Sequence, residues 1–129
     1  MTEIETQSLL DSPSVDVAIN PQFGESCMHF RFKGKFTKEA SVVSTKAWIK
    51  EFESNNDRIY THLWDCTDMT DFDFDAKDSW MKTLESYSRQ IDKIAIVSNS
   101  ILIRGAARVM SKFTKLNLLV FRSIEEVSF

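Results

Sequence analysis

Three glycines, two prolines and two cysteines in 129 residues are few, and each scarcity excludes something. So little Gly and Pro leaves no room for a linker or a low-complexity tract, and no internal repeat is present. Cys27 and Cys66 lie far apart and outside any CxxC spacing, which reads as two reduced, partly buried thiols in a reducing compartment. No stretch approaches the roughly 18 uninterrupted apolar residues of a membrane span. Met1 to Ser14 carries Glu3, Glu5 and Asp11 and no extended apolar core, so it does not resemble a signal peptide, and a cytoplasmic protein is expected. Basic excess is missing too: the net charge of −3 argues against a nucleic-acid partner.

What the chain does have is core material. A hydrophobic fraction of 43%, with ten Phe and three Trp, suits a single domain that needs neither disulfide nor metal, one able to bury about two thirds of its unfolded surface. Residues 1–14 are expected to be a flexible N-terminal arm and residues 15–129 the domain. Val15, Val17 and Ile19 alternate with polar or small residues, and Met28, Phe30 and Phe32 alternate with His29, Arg31 and Lys33, so an antiparallel hairpin is expected. Gly34 to Thr37 reads as a break, with Thr37 capping a helix from Lys38 to about Ser54 whose apolar face includes Val42, Val43, Ala47, Trp48, Ile49 and Phe52.

A strand from Ile59 to Trp64 then runs into an acidic loop, residues 65–76. A second helix is expected from Ala76 to about Gln90, capped by Asp75. Lys93 to Val97 reads as a strand covered on both faces. A third helix, Ile101 to about Phe113, would turn Leu102, Ile103, Ala106, Ala107, Met110 and Phe113 inward and place Arg104, Arg108 and Lys112 elsewhere. Leu116 to Phe121 is a last strand, followed by one helical turn. The implied fold class is α/β: a mixed sheet of about five strands, starting with an antiparallel hairpin, the later strands parallel and joined by crossover helices.

In such a sheet, ligands and partners meet the loops that leave the carboxyl ends of parallel strands. That directs attention to Asp65, Thr67, Asp68, Asp71, Phe72, Asp73, Phe74 and Asp75, with Ser98, Asn99, Ser100 and Arg104 expected at the same rim. Asp71, Asp73 and Asp75 match the opening of a calcium loop, but Ala76 replaces its glycine and Lys82 its bidentate glutamate, so no metal is assigned. Asp65-Cys66-Thr67 starts like a site with a strand-end nucleophilic Asp, yet the second carboxylate two residues later is Thr67. The plain alternative is that these aspartates cap helices and turns or are solvated. His29 and His62 lie on strands without a local catalytic partner. Gly105 alone makes no glycine loop, although the start of the third helix could hold an anion. Phe72 and Phe74 either fold back on the core, the favoured reading, or form an apolar contact surface framed by acid.

Phe30-x-Phe32-x-Gly34-x-Phe36-Thr37-x-Glu39, the strand ending Leu63-Trp64-Asp65, Lys93 to Val97, a helix with spaced Arg, and Val120-Phe121 together resemble the SpoIIAA-like proteins. These are relatives of the STAS domains typified by bacterial anti-sigma factor antagonists. The resemblance spans roughly residues 15–127. It implies helices mainly on one face of the sheet and a non-enzymatic regulatory or binding role in bacteria, with no cofactor. Antagonists of this type carry an Asp-Ser-Ser-Gly motif after the central strand, where a phosphorylated Ser controls partner binding. Here that motif falls on Asp73-Phe74-Asp75-Ala76, so Phe74 replaces the phosphoacceptor. Fixed acid in the loop stands in for a phosphorylated state, or the switch has been lost. The leading expectation is a protein partner bound through residues 65–76. The alternative is a small carrier of an apolar or anionic, lipid-like ligand over the sheet, and a hydrolase using Asp65 is a third. Homodimerisation is left open.

Overall fold

The structure is a computed structural model that describes residues 6–24 and 26–129. Six strands form one sheet in strictly sequential order: β1 (Gln7–Asp11), β2 (Val15–Ile19), β3 (Cys27–Phe36), β4 (Tyr60–Phe72), β5 (Ile91–Val97) and β6 (Leu118–Phe121). β1 to β3 are antiparallel neighbours and β3 to β6 are parallel. The parallel strands are joined by α1 (Lys38–Ser54), α2 (Phe74–Ser86) and α3 (Ile101–Ser111). Because right-handed crossovers between successive neighbouring strands all swing to the same side, the three helices cover one face. The main core lies beneath them, built on Val15, Val17, Phe30, Phe32, Tyr60, Trp64, Ile94 and Ile96. The opposite face has a smaller core, Cys27, Leu63, Ala95 and Val97, covered by Phe23, Phe121, Ile124 and Val127. The two cysteines are buried and free, one in each core on opposite faces of the sheet.

Four departures from the sequence reading have physical causes. Where a flexible arm is expected, Gln7–Asp11 forms the edge strand β1. An irregularity between Ser8 and Leu10 lets two consecutive leucines, Leu9 and Leu10, reach the core, so the strand has no alternation to betray it. β3 does not end at Gly34: that residue takes φ +64° and the chain resumes pairing through Phe36. On α1, Val42 and Val43 are about half exposed, while Ala40, Ser41, Ser44, Trp48 and Phe52 face inward. Small serines permit close packing, their hydroxyls bonding the Ala40 and Ala76 carbonyls. On α3, Leu102 and Phe113 are exposed, and the buried positions are Ala107 and Arg104. The other boundaries shift modestly: α2 starts at Phe74 rather than Ala76, and β6 at Leu118.

Candidate functional site

The acidic segment is not a loop along most of its length. β4 continues through Phe72, paired with β3 from Lys33↔Asp68 to Phe36↔Phe72, and two register shifts insert extra residues into β4. Each bulge displaces the inward positions, so Cys66, Met69 and Phe72 turn toward the core at a spacing of three instead of two. β5 reaches only as far as Asp65 and β2 only to Phe32, so the ends of β3 and β4 project as a two-stranded ribbon. Asp71 lies about 15–20 Å along β4 from Asp65, so the rim splits in two. Asp65 is paired with Val97, next to Ser98, whereas Asp71 and Phe72 lie at the far end of the ribbon, paired with Lys35 and Phe36.

Most of the acids have structural partners. Arg31 pairs with Asp68 at 3.0 Å, and Lys35 with Asp73 at 3.2 Å. The second Asp73 oxygen accepts from the Lys38 amide at 3.3 Å, at the start of α1. Asp65 accepts from the Thr67 amide at 3.0 Å and from its hydroxyl, and Asp71 accepts from the Phe72 amide at 2.8 Å. Asp75 lies in the first turn of α2, where it favours the positive end of the helix dipole. Ser100 caps α3 by accepting from the Ile103 amide at 3.3 Å, and Ser98 accepts from the Ser100 amide at 3.1 Å. Arg104 is buried and donates to the Ser98 carbonyl at 3.0 Å, tying the turn to the helix. Asn99 is exposed.

Both histidines are held neutral. Complete burial drives His62 down to about 3, and burial also lowers His29, with the Asp65 charge offsetting part of that effect. Burial raises the Cys27 thiol to about 12 and pushes Cys66 up as well, so neither is a thiolate at neutral pH. Among the described residues no group of three or more His, Cys, Asp or Glu is placed to hold a metal.

A cleft of about 70 Å³ opens on the helical face; the carrier alternative expects a ligand over the sheet, but the sequence reading names none of the lining as site residues except Phe72. The floor of the cleft is β3 to β5, through Phe32, Phe36, Trp64, Cys66, Met69, Phe72 and Ile96. Trp80, Met81 and Lys77 of α2 form one wall, and Ile103, Ala106, Ala107 and Met110 of α3 form the other. α2 packs closely on α1 and stands away from α3. The small Ala106 and Ala107 then leave the space between α3 and the sheet unfilled. Among the described residues Lys77 is the one charged residue of the lining, its ammonium 4.3 Å from the centre of the Phe74 ring. Phe72 folds back onto the core, as the favoured reading has it, whereas Phe74 is 72% exposed at the cleft's edge. Of the expected site residues only Phe72 lines the cleft, and Asp65 belongs to the other side of the sheet. The adjacent small residues Ala106 and Ala107, across the cleft from Trp80 and Met81, are the signal in the sequence that could have located it.

No protein-family model and no curated protein matches the sequence. A solved structure does: an uncharacterised protein of the DUF3478 family with a SpoIIAA-like fold, from Shewanella loihica PV-4. The two superpose with a TM-score of 0.74 over 98% of this chain and 94% of that one, at 17% sequence identity. The antiparallel hairpin, the parallel strands that follow and the one-sided helices are thus those of a SpoIIAA-like fold.

Proposed function

We propose that this chain is a non-catalytic binding module whose cleft holds the apolar end of an anionic amphiphile, such as a single-chain acyl carboxylate. The observation that carries the reading is the cleft itself: an apolar lining, open to the surface, with one half-buried cation at the side. Its volume is several times the roughly 10–15 Å³ that admits one water. Apolar walls favour a hydrocarbon occupant over water, and Lys77 supplies the single charge that would orient it. Met69, Met81 and Met110 lend the lining adaptable shape.

Trp64 and Trp80 line the cleft, so a bromine-labelled acyl carboxylate should quench tryptophan fluorescence saturably. Each methylene removed from the chain should weaken binding about fourfold, the equivalent of about 0.8 kcal/mol. Ala106→Phe, which fills the space, should abolish quenching, and Lys77→Met should weaken carboxylates but not the matching alcohols. Quenching that never saturates, or that survives Ala106→Phe, would sink the proposal. Phe74, exposed between Asp73 and Asp75, favours a second reading as a contact for a protein partner. Phe74→Ala alone tests it, because Phe72 belongs to the core.

A further inference from the structure

α3 has an apolar ridge that none of the described residues covers. Leu102 is 85% exposed, Val109 56%, and Phe113, in the turn after the helix, 83%. At 100° per residue these three fall within about 40° of one another around the helix axis. Ala106, Met110 and Ile103 follow on one side of the ridge and line the cleft. Arg108 and Lys112 flank the other side, exposed, and among the described residues neither makes an ion pair. The charge is segregated in sequence as well. Residues 93–122 contain six Lys or Arg and no Asp or Glu, in a chain whose net charge is −3.

We infer that this ridge docks onto an anionic lipid surface, with Leu102, Val109 and Phe113 entering the interface and Arg108 and Lys112 meeting the headgroups. A short helix with an apolar stripe and a cationic flank is the arrangement that lies in the plane of a bilayer interface. Basic side chains near such a surface add attraction that salt screens. The ridge is also a lip of the cleft, so docking presents the cleft mouth to the bilayer, where amphiphiles reside. That purpose rests on the reading of the cleft proposed above, but the docking itself does not. Across the mouth, Asp75 and Asp78 of α2 oppose an anionic surface, so α3 forms the leading edge.

The test is co-sedimentation with vesicles of phosphatidylcholine alone or mixed with phosphatidylglycerol. Retention on the mixed vesicles that falls with added salt is expected. Leu102→Asp with Phe113→Asp touches only exposed positions and should cost roughly tenfold or more in retention, with the circular dichroism spectrum unchanged. Arg108→Gln and Lys112→Gln should each cost about fivefold, whereas Asp75→Asn with Asp78→Asn should strengthen binding. Equal or absent retention on both vesicle types overturns the inference. So does a dimer in solution that the Leu102/Phe113 variant dissociates, because a second copy would then cover the ridge. Ala106→Phe separates the two proposals: it should empty the cleft of the acyl probe and leave vesicle retention intact.

Discussion

His62 shows how much of one residue's behaviour is decided by its neighbours. Its ring is fully buried between Phe30 and Phe52, with centroids 5.2 and 5.6 Å away. The Trp64 indole donates to Nδ1 at 3.4 Å, so the proton resides on Nε2, which is buried and finds no acceptor among the described residues. Charging such a ring would place an unpaired cation in the aromatic core, which is why it titrates near 3. An unfolded His titrates near 6.5. Between those values the unfolded chain takes up a proton that the folded chain refuses. Stability is therefore complete above about pH 6.5 and declines as the pH falls toward 3. Urea titrations of wild type and His62→Phe should differ in slope: on going from pH 7 to pH 4 the variant should lose less stability, by roughly 3 kcal/mol. His29, also depressed, should keep a smaller dependence of the same sign. Equal slopes would mean that His62 is not the buried neutral ring described. The sequence placed both histidines on strands without catalytic partners, but it offered no way to rank their burial.

At the scale of elements, the β3–β4 ribbon is the chief surprise, and its two bulges explain why. Alternation with period two is what makes a strand visible in a sequence, and Cys66, Met69 and Phe72 break that period. Gly34 looks like a terminator because glycine usually is one, yet here it takes a left-handed φ of +64° opposite a bulge of β4, within a strand that continues. Nothing lies within 4 Å of where a Cβ would sit at Gly34 or at Gly105. Alanine at either position therefore reports backbone energetics alone. Gly34→Ala should destabilise by about 1–2 kcal/mol through left-handed strain. Gly105→Ala, inside α3, should stabilise by about 0.5–1 kcal/mol through reduced chain entropy. Chemical denaturation midpoints check both, and a neutral Gly34→Ala would argue against the left-handed backbone at that position. The cap of α1 was legible, Thr37 accepting from the Ala40 amide at 3.1 Å, whereas α2 begins after Asp73 and takes the expected cap, Asp75, into its first turn.

For the whole molecule, sequential strand order is what turns separate pieces into a one-sided fold. Each right-handed crossover sets its helix on the same face, and β1 extends the sheet at its far edge. Leu9→Ala with Leu10→Ala tests that edge: loss of two half-buried leucines should lower stability by roughly 2–4 kcal/mol, seen as a lower urea midpoint, whereas an arm lying free of the domain would show no change. What the sequence by itself determined was the alternating hairpin, the order of the helices and strands after it, and the parallel sheet; the SpoIIAA-like fold was what its family resemblance implied. The hairpin, the element order and the parallel sheet follow from local periodicity and from connection rules that act between neighbours in the chain. Only the tertiary structure decided where Phe72 and Phe74 part company, which acids are paired, and that α2 and α3 stand apart over a cleft. These depend on register, on bulges that shift a face by one residue, and on how closely helices from distant segments approach. No window of sequence contains both walls of the cleft, so its existence is decided by packing.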